Sequence, residues 1–478
     1  VIFAFFVALL PCVSRAQTAP ANEFDALRRT LSSLAASPPG KAKVGILVRD
    51  VMTGKDVFTL NAQERLNPAS NAKIVTAACA LKVLGPEFRF HTFVHGKVED
   101  GVVRGAVVLK GGADPLLTTS DLREMARTLR NMGIRRVEGG VVVDDTYFDA
   151  QNLPYAFDQQ PDEAASFRAP VGAASLNFNT LSVTIGPGHA PMSPAKVSIE
   201  PAGYADITNE TVTMADGANT PRVALSAEDS RAKMRVWGQV PLGSRPTTYT
   251  RRIDNPTLLT GYGFKAALEE SGVDVNGGVQ PGTVTLGLPR LAEHASAPLS
   301  EVLWEAGKMS NNFVTETLLK TMGAETGKGP GTWQGGLGAA SKVLEGWGLA
   351  PGSYTYRNGS GLFDANRFSA EQLVKVLVGA YLDPTIAPEF LSQLAIGGVD
   401  GTIRERYTQP PAKRHVRAKT GTLDDVSTLT GFVFDAQGRR PMAFAILVNN
   451  AEGYVSSART YQEKIVTAIA QALHPARK

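Results

Sequence analysis

Eight consecutive residues, Ile74-Val75-Thr76-Ala77-Ala78-Cys79-Ala80-Leu81, carry no charge and include several strong helix formers. A helix that is apolar on every side has to be buried on every side, so this run demands a core large enough to surround it. It begins directly behind Pro68-Ala69-Ser70-Asn71-Ala72-Lys73, where the proline and the serine suit a helix entrance. Ser70 and Lys73 then lie one turn apart on one face, at the positive end of the helix dipole. A lysine held there, desolvated and close to other positive charge, loses proton affinity and becomes a base. The serine beside it becomes a nucleophile that needs no histidine. Alone the pattern is weak, since about one Ser-x-x-Lys arises by chance in a chain of this length.

The elements around the run suggest how it is enclosed. Residues 17–40 hold a short helix with Phe24, Leu27, Leu31 and Leu34 along its stripe, and Lys43 to Asp50 and Asp56 to Leu60 read as two strands about a Met52-Thr53-Gly54-Lys55 turn. After Pro86 the texture changes. Short strands dominate from Phe90 to Lys110, followed by an amphipathic helix from Asp121 to Met132 with Leu122, Met125, Ala126, Leu129 and Met132 on one face. Gly140 to Asp145 is a strand, Ala165 to Arg251 is β-rich and punctuated by Gly and Pro, Thr257 to Ser271 is helical, and Gly277 to Leu286 is a strand.

Helices return near Ala292, covering Leu299 to Gly307, Phe313 to Met322, Thr332 to Leu344 and Ala370 to Tyr381. A strand from Arg414 runs into Lys419-Thr420-Gly421-Thr422, Thr428 to Asp435 and Pro441 to Asn449 form a hairpin, and Arg459 to Leu473 closes the chain as a helix. The expected architecture is one α/β (α+β) domain built from both chain ends, carrying a large β-rich insertion of two nested domains. The expected divisions are 1–16 (signal peptide), 17–93 and 292–478 (the terminal domain), 94–165 and 256–291 (the inserted domain), and 166–255 (a second β-rich domain nested within it).

Composition narrows the partners. Net charge is +4 without a long basic run, which argues against nucleic acid. Val1 to Leu10 is continuously apolar but too short to span a membrane, and Ser14-Arg15-Ala16 offers small residues at a cleavage site. A signal peptide cut after Ala16 is expected, with export to the periplasm and no transmembrane anchor. Pro11 beside Cys12 fits a lipid-attachment site poorly. The two cysteines are Cys12 and Cys79, so the processed chain has no intramolecular disulfide and no thiolate metal cluster, and no metal or cofactor is expected. Cys79, inside the apolar run, reads as a small buried hydrophobe.

Two further motifs carry chemistry. Ser310-Asn311-Asn312 lies at a break between helices, where a hydroxyl can relay a proton and an amide can bind a carbonyl and Lys73. Ser and Asn are equally at home as helix caps. Lys419-Thr420-Gly421-Thr422 places a fixed charge and two hydroxyls on a strand edge, where Gly421 permits close approach of a substrate backbone. The amides of Ser70 and Thr422 could together form an oxyanion hole.

The three motifs occur in the order known from penicillin-binding proteins and β-lactamases. With Gly111-Gly112-Ala113-Asp114-Pro115, Asp144-Asp145-Thr146-Tyr147-Phe148, Ser175-Leu176-Asn177 and Asn358-Gly359-Ser360-Gly361-Leu362, the chain resembles the class C low-molecular-mass penicillin-binding proteins. These are the D-alanyl-D-alanine carboxypeptidase/endopeptidase group typified by penicillin-binding protein 4. The resemblance covers nearly the whole processed chain, and the long insert between Ser70 and Ser310 sets it apart from the shorter β-lactamases.

The resemblance implies a serine penicillin-binding/β-lactamase-type transpeptidase fold. It also implies a D-Ala-D-Ala carboxypeptidase and/or endopeptidase that acts on peptidoglycan stem peptides through an acyl-enzyme at Ser70 and is acylated by β-lactams. Lys73 would be the base, Ser310 and Asn312 would assist, and Lys419, Thr420 and Thr422 would hold the terminal carboxylate beside Gly421. Asp144 and Phe148 match positions bordering a side-chain pocket, which Asp364 and Asp424 would join. The family usually reads Asp-Gly-Ser-Gly-Leu-Ser-Arg where this chain has Asn358 to Asp364. Three carboxylates there would favour an amine on the substrate; alternatively Asp364 faces solvent and Arg367 stands in for the arginine.

Other readings are a β-lactamase with an efficient deacylating base and a non-enzymatic wall-binding scaffold. A Ser-His-Asp hydrolase is disfavoured, because Gly-x-Ser-x-Gly is absent and the six histidines are scattered.

Overall fold

The computed structural model describes residues 24–160, 164–227 and 231–474; the expected signal peptide, with Cys12, lies outside them. The two ends of the chain meet in one sheet. Lys43–Asp50 pairs antiparallel with Met442–Asn449, from Lys43 opposite Asn449 to Asp50 opposite Met442. The six strands run in the order Ala395–Ile396, Val416–Leu423, Val426–Val433, Met442–Asn449, Lys43–Asp50, Asp56–Leu60.

Alternation along these strands feeds two cores. Val44, Ile46, Val48, Met442, Phe444, Ile446 and Val448 face the helices Asp25–Ala35 and Val455–Leu473. Leu47, Ala443, Ala445 and Leu447 face the opposite layer, which holds the helix Ala72–Leu84. With both faces covered, Val426–Val433 and Met442–Asn449 are buried at every position. The apolar run is enclosed as its composition demands: Ala72 to Leu81 are all buried, against Leu299–Gly307, Asn312–Thr326, Trp333–Gly346 and Ala370–Leu382. Cys79 is fully buried, and that burial pushes its thiol up, so it stays neutral.

The middle of the chain has its own core. His91–Glu99 and Val102–Lys110 form an antiparallel pair, extended on one side by Arg290–Ala295 and on the other by parallel pairing with Arg136–Val137 and Val141–Asp144. The helices Thr119–Asn131 and Pro256–Glu270 pack together in this region. Two three-stranded sheets follow, Thr247–Arg252/Thr180–Gly186/Lys196–Glu200 and Arg222–Ser226/Ala232–Pro241/Ala205–Met214.

Several details differ from the sequence reading. The divisions at 93/94 and 291/292 fall inside His91–Glu99 and Arg290–Ala295, two strands paired with each other. Met132 is 55% exposed, because the helix ends at Asn131 and Met132 only caps it. Of the strand expected from Gly277 to Leu286, Val279–Pro281 pairs and Gly282 donates its N–H to the Val143 carbonyl; beyond it the pairing ends and Leu286 is fully exposed. Among the described residues no helix is long and apolar enough to cross a membrane.

Candidate active site

Ser70 sits in a short turn, Ala69–Asn71, that runs directly into the buried helix. Ala69 has φ 45°, a left-handed conformation that costs energy for a residue with a Cβ. One local and two long-range hydrogen bonds hold the turn. Ala69 donates its N–H to Asn67 Oδ1 at 2.9 Å, Thr428 Oγ1 donates to the Pro68 carbonyl at 2.8 Å, and Asn71 Nδ2 donates to the Lys419 carbonyl at 3.0 Å. Asn67 and Asn449 exchange two more bonds, tying the turn to the last strand. At Gly361 (φ 75°) a Cβ would fall 1.9 Å from the Ala69 carbonyl, so only glycine lets that turn close over the Ser70 turn.

Lys73 lies beneath Ser70, 1% exposed. Its Nζ donates to Ser70 Oγ at 3.0 Å, Asn312 Oδ1 at 2.6 Å and the Ser360 carbonyl at 2.7 Å. Burial holds the ammonium well below its ordinary range; the charge of Lys419 lowers it further, while Glu316 acts in the opposite sense. Lys419, also 1% exposed, donates to Ser310 Oγ at 2.7 Å, and burial lowers it to about 7. Ser310 has φ 62°, a second strained residue at the site.

Two readings of the Ser310-Asn311-Asn312 segment coexist: Asn311 caps the helix by accepting from Val314 N–H, while Asn312 reaches Lys73 and donates through Nδ2 to the Phe167 carbonyl. At Gly421 a Cβ would lie 2.2 Å from Thr428 Oγ1 and 2.9 Å from Ser70 N, so the strand abuts the nucleophile turn.

Above these groups opens a cleft of about 690 Å³, lined among others by Ser70, Ser310, Asn312, Thr422, Asp424 and Phe167. Thr420 is turned aside and donates its hydroxyl to Thr402 Oγ1 at 2.8 Å. Asp144 and Phe148, expected to border a pocket here, do not line the cleft. The Asp144 carboxylate is occupied by Thr146 and by the Val284 amide; burial works against its charge, yet these bonds hold it below its usual value. Phe148 is packed in the core, 4.9 Å from Lys320 Nζ. Their spacing from the neighbouring motif matched, but local hydrogen bonding and core packing claimed both side chains.

Asp364 and Asp424 do line the cleft, with Asp425 and Arg367. Arg367 pairs with Asp364 at 2.6 Å and is the main cause of that carboxyl lying below its usual value. The sequence reading passed over Glu316, which is fully buried beside Lys73. Its place four residues after Asn312, on the same helical face, was the available signal.

Comparison with known proteins places the geometry in context. Residues 27–472 match the D-Ala-D-Ala carboxypeptidase 3 (S13) family. A D-alanyl-D-alanine carboxypeptidase of Actinomadura sp. (strain R39) is 36% identical over 448 residues, covering 89% of this chain and 81% of that one. The D-alanyl-D-alanine carboxypeptidase DacB of Haemophilus influenzae is 26% identical over 425 residues, 88% of each chain. The crystal structure of penicillin binding protein 4 from Haemophilus influenzae superposes with a TM-score of 0.77 at 24% identity, covering 93% of this chain and 99% of that one. A predatory peptidoglycan endopeptidase of Bdellovibrio bacteriovorus gives 0.52 at 17% identity, over 91% and 93%. These likenesses establish a shared fold.

Proposed function

The chain belongs to the D-Ala-D-Ala carboxypeptidase 3 (S13) family and is a serine DD-peptidase hydrolase, and we propose that it works through an acyl-enzyme at Ser70. The observation that carries this is the buried Lys73 Nζ at 3.0 Å from Ser70 Oγ, in surroundings that lower the proton affinity of the amine. Lys73 takes the hydroxyl proton as Ser70 Oγ attacks the carbonyl between two D-alanines. The N–H groups of Ser70 and Thr422 receive the developing oxyanion. Ser310, held by Lys419, passes the proton to the departing amine; the C–N bond breaks, D-alanine leaves, and water then hydrolyses the ester.

Pairing with Ala395–Ile396 covers the strand Val416–Leu423 only at Arg417 and Ala418, so from Lys419 onward its outer edge is available to an extended peptide. Lys419 and Thr422 would hold the terminal carboxylate, with Thr420 behind them. The apolar segment Val1 to Leu10 and the lack of a spanning helix among the described residues support an exported, periplasmic enzyme acting on peptidoglycan stem peptides.

The rim of the cleft bears on side-chain preference. Asp364 is matched by Arg367, which leaves Asp424 and Asp425 in excess, so a stem side chain ending in an amine or amide is favoured over one with a second carboxylate. Equal turnover of amidated and free diaminopimelyl peptides would overturn that preference.

Defined muropeptides, followed by mass spectrometry for D-alanine release and cross-link cleavage, test the reaction and separate carboxypeptidase from endopeptidase action. Labelled penicillin should attach stably to the wild type and not to Ser70→Ala. Rapid penicillin turnover would point instead to a β-lactamase, and an S70A variant with intact wall function to a scaffold.

A further inference from the structure

Helix Asn312–Thr326 carries polar side chains at every fourth residue on one face: Asn312, Glu316 and Lys320. Asn312 holds Lys73, and Lys320 is paired with Asp149 at 2.6 Å. Glu316 lies between them, fully buried, and does not line the cleft. Its carboxylate accepts from Ser360 N–H at 2.7 Å, Gly359 N–H at 3.1 Å and Trp333 Nε1 at 3.0 Å. Ser360 is thus held at its backbone N–H by Glu316, while its carbonyl accepts from Lys73 Nζ at 2.7 Å. The turn has no slack, because a Cβ at Gly359 would lie 2.7 Å from the Thr315 carbonyl.

We propose that Glu316 is a positioning residue for Lys73: through the Gly359–Ser360 turn it aims the amine at Ser70, and its charge acts on the buried Lys73. Burial pushes the Glu316 carboxyl up, while the hydrogen bonds from Ser360, Gly359 and Trp333 work in the opposite sense, toward the charged form. The other titratable groups around the pair do not compete for this role. Burial keeps Tyr356 and Cys79 neutral, and Lys320 is matched by Asp149. The inference rests on Lys73 being the base for Ser70.

The sign of its effect follows. The Glu316 charge raises the proton affinity of Lys73, so removing it lowers that affinity. Acylation needs neutral Lys73, so its acid limb should move to lower pH. The maximal rate should also fall, because the amine becomes a weaker base.

The test is the second-order rate of acylation of the full chain by benzylpenicillin as a function of pH. In Glu316→Gln, which keeps the shape and removes the charge, the acid limb should move down by about one pH unit with a lower plateau. In Glu316→Asp, which keeps the charge on a shorter stem, the limb should stay at its wild-type pH while the plateau falls. An unmoved limb in E316Q overturns the proposal.

Should E316Q fail to fold, the wild-type carboxyl at atomic resolution decides. Two equal C–O bond lengths mark the charged form and support the proposal, while a carbonyl–hydroxyl pair overturns it. Acylation that persists in S70A would instead overturn the underlying reading of Ser70 and Lys73.

Discussion

In the sheet joining the chain ends, Val426–Val433 and Met442–Asn449 are buried at every position, whereas in the insert Arg222–Ser226 only alternates between exposed and half-buried. The first sheet has helices on both faces; the second meets solvent along much of its length. The groups proposed for catalysis belong to the first. Burial lowers the proton affinity of both Lys73 and Lys419, and a sheet covered on both faces supplies that burial by excluding water. The insert reaches the site through a few polar contacts, the Phe167 carbonyl on Asn312 and Asp149 on Lys320.

This contrast can be broken most severely at Ser70. The S70A variant should lose peptide hydrolysis by about four orders of magnitude or more while unfolding like the wild type, measured by D-alanine release and urea denaturation. Next is the two-sided sheet itself. Phe444→Ala, at a position with no exposure, should cost about 3–5 kcal/mol in urea unfolding. Val223→Ala in the insert, where the side chain is half-buried, should cost less than about 1 kcal/mol.

A smaller effect separates the two lysines by pH. Burial lowers Lys419 to about 7, so the carboxylate binding proposed for it should be present below that pH and lost above it. On the alkaline side kcat/KM for a D-Ala-D-Ala peptide should fall about tenfold per pH unit. A substrate whose terminal carboxylate is amidated should lack this limb. The smallest effect is expected at Arg235→Ala, which removes an exposed ion pair with Glu210 and should leave the unfolding midpoint unchanged.

Much of the fold was legible because apolar periodicity reports burial directly. The run behind Ser70, the closing hairpin and the helix ending at Leu473 are set by local pattern. The pairing of Arg290–Ala295 with His91–Glu99 was not legible. A strand's partner is chosen by contacts nearly two hundred residues away, which leave no mark in either stretch. The early end of the strand expected from Gly277 to Leu286 has a related cause: β-prone residues there have no neighbouring edge past Gly282.

By itself the sequence determined the chemical inventory, a serine, two lysines, a second serine and an asparagine in a characteristic order, and the helix that had to be buried behind the first of them. Tertiary structure alone decided which carboxylates face the cleft. Asp144 is turned onto Thr146 and Val284, Asp364 is matched by Arg367, and Glu316 is sealed beside Lys73. A carboxylate's role depends on the charge, donors and water within a few ångströms of it, and the folded chain sets those surroundings by bringing distant residues together.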